Sequence, residues 1–173
     1  DYIRKSNVVE GEVGGITQQI NAYEVIHETK DKQKKKITFL DTPGHAAFSG
    51  MRERGSSISD IAILIVSAEE GVKAQTKEAL KSILDAKIPF IVAINKIDRP
   101  NSNPEKVKQE LAEAGVNVES YGGKIPSVNV SAKTGEGIPE LLDIILLVAE
   151  LEEMKANPNE LASGFLLESN LDP

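Results

Sequence analysis

The chemistry-bearing residues of this chain fall into a few short stretches. The first is Asp41-Thr42-Pro43-Gly44-His45, which closes an apolar run carrying Ile37, Phe39 and Leu40. That run reads as a buried strand. An acid followed by Pro-Gly is how an open α/β sheet presents a carboxylate and a bare backbone N–H at its carboxyl edge, where ligands bind. Asp41 is suited to hold Mg²⁺, directly or through water. Gly44 has no Cβ, so its N–H can approach a terminal phosphate. His45 follows the glycine directly, where a water-positioning group would sit. The plainer alternative is a strand ending in a Pro-Gly turn.

The second stretch, Asn95-Lys96-Ile97-Asp98, follows the apolar run 89–94. Its chemistry suits guanine. A carboxylate at Asp98 can accept parallel hydrogen bonds from the ring N1–H and the exocyclic amine. Adenine offers no such pair and would leave the charge unmatched. Asn95 can bond the base edge and tie neighbouring loops together, and the Lys96 stem can lie along the base face. Ser131-Ala132-Lys133 closes another apolar run, 126–130, and its backbone N–H can meet a base carbonyl. A glycine-rich, acidic loop over 6–17 ends in Thr17. Gly14 and Gly15, just before Ile16-Thr17, would let the Thr17 hydroxyl swing toward a metal and its backbone toward a phosphate; an ordinary flexible connector is the alternative.

These stretches need a scaffold. Runs 60–66, 89–94 and 126–130 read as strands buried in a parallel sheet. Helices are expected over 75–86, with Ala79, Leu80, Ile83 and Leu84 on one face, over 103–114, capped by Asn103, and over 139–154, with Leu141, Leu142, Ile145, Val148, Ala149 and Leu151 inward. Segment 48–57 reads as a short irregular helix. Segment 18–29 reads as a strand and the lysine-rich 30–36 as a solvated hairpin tip, with a weak ribosomal-RNA contact as an extra. Residues 1–5 read as the last turn of a helix. Strands alternating with helices make this an α/β chain with a mainly parallel sheet.

The chain has 173 residues, 40% of them hydrophobic, enough for a core and against disorder. Its net charge of −7 argues against a protein that wraps nucleic acid. No cysteine is present, which excludes disulfides and thiolate metal sites within these residues. No apolar run approaches the ~18 residues of a membrane span, and no signal peptide is expected.

Three nucleotide-type motifs at strand ends, in this order, resemble the GTP-binding domain of the translation-factor GTPases. Within them, Val13-Gly14-Gly15-Ile16-Thr17-Gln18-Gln19-Ile20, then Phe39 to His45, then Lys155-Ala156-Asn157-Pro158-Asn159, are similar to the bacterial-type initiation-factor-two family. The resemblance implies a three-layer Ras-like fold, with a GTP-binding domain over 1–155 and, over 156–173, a linker and first strand of a following β-barrel. It implies GTP or GDP with Mg²⁺ as ligands, Thr17 and Asp41 as metal and γ-phosphate sensors, Gly44 on the γ-phosphate and His45 as the catalytic water-positioning residue. Asn95, Lys96, Asp98, Ser131, Ala132 and Lys133 would hold guanine. The implied function is GTP hydrolysis on the ribosome during subunit joining, with the large-subunit factor-binding site and, through other domains, initiator tRNA as partners. No membrane is implied, and the location would be cytoplasmic, or else the mitochondrial matrix or plastid.

One departure is serious. The phosphate-cradling Gly-x-x-x-x-Gly-Lys-Ser/Thr is nowhere in the sequence. In the family it lies just before the helix whose last turn falls at residues 1–5, so the expectation is a chain that starts just after it. The preceding strand, central in such a sheet, would be missing too. That predicts a gap of ~10 Å between the strands ending at Asp41 and starting near Asp60. A segment outside these residues, a second chain, closure of the gap, local unfolding, or a strand at 162–169 could answer it. As written, the chain would keep a guanine pocket but hold phosphates poorly. A binding module without hydrolysis, or another translation-factor-type GTPase, are the alternatives. A smaller departure is Ala74 before Gln75-Thr76, where members of the family it resembles usually carry proline.

Overall fold

The computed structural model describes residues 2–4, 20–45, 48–155, 157, 159–161 and 164–166. Thr17 and the rest of the 6–17 loop lie outside them, as do parts of the 156–173 segment.

Three strands, β3 (Ala62–Ser67), β4 (Phe90–Asn95) and β5 (Ser127–Asn129), form a parallel sheet in the order β3-β4-β5. The central strand, Phe-Ile-Val-Ala-Ile-Asn, is buried on both faces, which explains its unbroken apolar character. Its alternate residues serve different cores. Phe90, Val92 and Ile94 pack with Leu80 and Ile83 of α2 (Ala74–Ala86) and with Val107 and Leu111 of α3 (Pro104–Glu113). Ile91 and Ala93 pack with Leu141, Leu142, Ile145 and Val148 of α4 (Ile138–Leu151). Helices thus cover both faces, and the three-layer expectation holds. Burying each large aliphatic here is worth about 1.5–3 kcal/mol, so the β4 residues anchor both layers at once.

The helix boundaries follow local chemistry. Asn103 caps α3, its side chain accepting from the Lys106 N–H at 3.0 Å, with Pro104 at the first helical position. Gly115, at φ +86°, follows the helix in the left-handed region. Two inward assignments fail. Leu84 and Leu151 are exposed, at 54% and 73%. Leu84 stands beside Ile83 but one helical step off the face that meets β4, and Leu151 is the final residue of α4, beyond Val148, the last of its buried residues. Segment 48–57 is not irregular either: α1 (Ser49–Ile58) is a regular ten-residue helix. Its buried face is formed by Arg52 and Gly55 rather than by aliphatic residues, so hydrophobic periodicity is faint there.

Strands β1 (Asn21–Glu28) and β2 (Lys34–Asp41) form a separate antiparallel hairpin, with Asn21 opposite Asp41 and Glu28 opposite Lys34. The expected buried strand at β2 is half-buried, alternating about Ile37 and Phe39, because it belongs to a hairpin. Tyr23 stacks on Phe39 at 5.4 Å, and the Arg4 guanidinium lies over the Tyr23 ring at 4.3 Å. Residues 2–4 form a turn, and Ile3 joins the α4-side core.

β2 and β3 are not paired with each other; each is the outer strand of its own sheet. The expected discontinuity is therefore present in the backbone. Among the described residues, side chains bridge it on the α4 face, where Ile37, Phe39, Ile61 and Ile63 meet the core of Ile91 and Ile145. Ile65, next along that face of β3, is 63% exposed. Residues 164–166 form no strand, and Phe165 and Leu166 are exposed, so the described part of 162–169 does not fill the gap.

Candidate nucleotide site

The register of the parallel sheet places Ser67 beside Asn95 and Ile94 beside Asn129, so the chain leaves β3, β4 and β5 at one edge. That is where ligands bind in open α/β sheets. Two of the expected motifs meet there. The Asn95 side-chain oxygen accepts from its neighbour's N–H, Lys96, at 2.7 Å and from the Ala132 N–H at 3.0 Å. The loop-tying role expected of Asn95 is thus visible, and the Ala132 amide expected to face a base carbonyl is engaged with Asn95. Backbone bonds reinforce the junction: Val130 N–H donates to Ile94 C=O at 2.8 Å and Ala68 N–H to Asn95 C=O at 2.7 Å.

Asp98 is joined to the same loop. The Ser131 hydroxyl donates to Asp98 Oδ1 at 2.7 Å and accepts from the Thr134 N–H at 3.1 Å. Ser131 is fully buried, whereas Asp98 is exposed. The serine therefore orients a carboxylate that still faces solvent. Its hydrogen bond is the main reason the Asp98 carboxyl is held below its ordinary pKa, aided by Lys133 and Arg99 and opposed by partial desolvation. An ionised carboxylate has about four lone-pair sites. With Ser131 on one of them, enough remain to receive two parallel N–H donors from a base edge.

Lys96 sits at φ +67°, a left-handed conformation uncommon for a residue with a Cβ. It turns the chain sharply between the end of β4 and Asp98. The Lys96 Nζ pairs with Glu70 Oε1 at 2.8 Å, a contact sequence reading missed because Glu70 lies in the loop after β3. That ammonium holds the exposed Glu70 carboxyl below its usual range. Lys133 and Ala132 are exposed beside Asp98.

The residues expected to face phosphate lie at the end of the hairpin and just after it. Asp41 ends β2, exposed; Pro43 is buried, and Gly44 and His45 emerge exposed after it. His45 lies edge-on to Phe48, with ring centroids 6.3 Å apart. The buried Arg52 of α1 holds this turn. Its Nη1 donates to Pro43 C=O at 3.0 Å and to His45 C=O at 2.7 Å. Sequence reading placed Arg52 on a helix without a role; a basic residue on a weakly apolar helix gives no signal of burial.

A Mg²⁺ ion was the expected metal. Among the described residues no group of three or more His, Cys, Asp or Glu side chains is arranged to cage one. Mg²⁺ bound with nucleotide usually needs only one or two protein ligands, since phosphates and waters supply the rest. A single exposed carboxylate at a strand end, Asp41, fits that pattern.

A model of the elongation factor Tu GTP-binding domain matches residues 4–150. Translation initiation factor IF-2 of Rubrobacter xylanophilus is 56% identical over 173 residues, all of this chain and 24% of that protein. That of Bacillus pumilus is 55% identical over 172 residues, 99% of this chain and likewise 24% of the relative. The chain thus spans about a quarter of the length of the curated relatives it matches. Among solved structures, GDP-bound aIF5B from Aeropyrum pernix superposes with TM-score 0.61 at 35% identity, covering 87% of this chain and 33% of that one. Elongation factor SelB from Methanococcus maripaludis, in complex with the GTP analogue GppNHp, gives 0.62 at 28% identity, covering 83% and 31%. The Ras-like α/β reading stands on both the fold and these matches.

Proposed function

The chain belongs to the elongation factor Tu GTP-binding domain family, and from that premise we propose that it is the GTP-binding module of a translation initiation factor that hydrolyses GTP on the ribosome during subunit joining. The observation that carries the reading is the cross-bonded pocket in which Asn95 ties the 131–133 loop to β4 while Ser131 aims Asp98 at solvent. Asp98, Asn95 and Lys96 select guanine; Ser131, Ala132 and Lys133 close the pocket. Asp41 and Thr17 would hold Mg²⁺, which when bound screens phosphate charge. Gly44 would donate to the terminal phosphate, and His45 would orient the attacking water. Phosphoryl transfer needs little more from a protein than positioning and charge stabilisation. The initiation assignment draws on the printed names of the IF-2 relatives. The large-subunit factor-binding site, and initiator tRNA through domains outside these residues, are the partners that follow, in the cytoplasm. No helix among the described residues is long and apolar enough to cross a membrane.

These 173 residues contain no Gly-x-x-x-x-Gly-Lys-Ser/Thr, so the isolated chain is proposed to bind guanine weakly and not to hydrolyse GTP. Titrating fluorescent GDP, with ADP as competitor and with or without Mg²⁺, tests both statements. The full-length protein should bind GDP tightly, with Mg²⁺ dependence and without ADP competition. Asp98→Asn should weaken binding by about 2–4 kcal/mol, the loss of hydrogen bonds to a charged acceptor. Equal competition by ADP would overturn the guanine reading. Micromolar, Mg²⁺-sensitive binding by the isolated chain would overturn the weak-binding statement.

A further inference from the structure

We propose that Arg52 is a positioning residue for the hydrolytic step: a buried latch that fixes the Pro43–His45 backbone against helices α1 and α2. The inference rests on the GTPase reading above and adds to it a residue outside the nucleotide pocket.

Arg52 is an unusual interior residue for this chain. Its side chain is 7% exposed, and it sits on a helix with almost no aliphatic face. Such a cation is retained in an interior only if its charge is met; Nε and Nη2 make no aligned hydrogen bond, so an ion pair and the Nη1 bonds must hold it. Here Nη1 reaches two backbone carbonyls in the turn after β2, Pro43 at 3.0 Å and His45 at 2.7 Å, and Nη2 pairs with Glu78 Oε1 of α2 at 2.7 Å. The guanidinium therefore joins three segments: the turn, its own helix and the helix that follows β3.

Two further contacts hold the root of the same turn. Pro43 is fully buried, and a Cβ at Gly55 of α1 would lie 2.8 Å from Thr42 Cγ2, so helix and turn approach as closely as glycine allows. Beyond these anchors Gly44 and His45 are exposed. The arrangement is a fixed base with a presented tip. A guanidinium holds its donors in a rigid planar fork, whereas an ammonium is a compact charge on a flexible stem and fixes its partners less firmly. Because Arg52 bonds the carbonyl of His45 itself, loosening it shifts the backbone that carries both the phosphate-facing amide and the imidazole. It leaves the guanine pocket, built on β4 and β5, untouched.

The test uses the full-length protein with the variants Arg52→Met, Arg52→Lys and Glu78→Gln. Amide hydrogen exchange at Gly44 and His45, read without nucleotide, reports the latch directly. Ribosome-stimulated GTP turnover and GDP affinity report its consequence. For Arg52→Met we expect faster exchange at both amides, unchanged protection in β4, unchanged GDP affinity and a kcat lower by about 10- to 100-fold, the scale of misplacing a catalytic group by about 1 Å. Arg52→Lys and Glu78→Gln should fall between this and the parent. Unchanged exchange in Arg52→Met, an unchanged kcat despite faster exchange, or loss of GDP affinity and β4 protection together with kcat would each overturn the proposal. If the unsubstituted protein does not turn over GTP, the GTPase reading fails, and the exchange data alone then decide whether the latch exists.

Discussion

A buried hydroxyl beside an exposed carboxylate does two things at Ser131. It fixes the Asp98 rotamer, and it stabilises the charged form of that carboxyl. The guanine recognition proposed for Asp98 needs the carboxylate, since a protonated acid would present a donor to donors. The sign follows: Asp98 is held below its ordinary pKa, so the benefit of its charge is complete above the unfolded-state value and is lost as pH falls through the lower folded value. GDP affinity should stay level from neutrality to about pH 5 as far as this group decides it, and decline only in stronger acid. Ser131→Ala removes the largest cause of the shift. Its Asp98 should titrate closer to the ordinary carboxylate value, and GDP binding should begin to weaken at higher pH than in the parent. Carboxyl-carbon NMR titration with GDP affinities at matched pH checks this; coincident titration curves in parent and variant would contradict it.

At the level of elements, the parts legible in sequence were those where local chemistry and tertiary packing agree. The unbroken apolar run of β4 and the Asn-Pro start of α3 are examples. At Asn103 the side chain accepts the Lys106 N–H at 3.0 Å. Asn103→Ala should therefore cost about 0.5–2 kcal/mol in unfolding free energy, measurable by urea denaturation with an unchanged slope; a shift under about 0.2 kcal/mol would deny the cap its role. Reading failed where a residue's surroundings are set by distant partners. α1 reads as irregular because a buried arginine and a glycine occupy its inner face, and nothing near Arg52 in sequence announces carbonyls at Pro43 and His45. Leu84 and Leu151 were placed inward because an apolar side chain on a helix carries no marker of where the sheet ends. The junction between the 95–98 and 131–133 loops is legible from residue types at strand ends. The contact between Lys96 and Glu70, 26 positions apart, is not.

Across the whole molecule the decisive feature is how many partners each strand has. β4 pairs on both sides, with β3 and β5, while among the described residues β2 pairs only with β1 and β3 only with β4. Buried backbone groups without partners cost about 1–3 kcal/mol each, so the edges of β2 and β3 that face away from their partners are the weak seam of this chain. Local opening should begin there, since protection follows pairing and burial. In the isolated chain, amide exchange averaged over β2 should be faster than over β4 by on the order of 100-fold, with β3 intermediate. The α4-side packing of Phe39 and Ile63 slows but does not replace backbone pairing. Exchange in β2 and β3 as slow as at Ile91 would mean that some strand pairs along the seam and that this picture of the sheet is wrong. The same measurement on full-length protein separates two origins of the seam. Slower exchange in β2 and β3 there, with β4 unchanged, would mean that a segment outside these residues completes the sheet and carries the exposed Ile65 into the interior; equal rates in both proteins would make the divided sheet a property of these residues themselves.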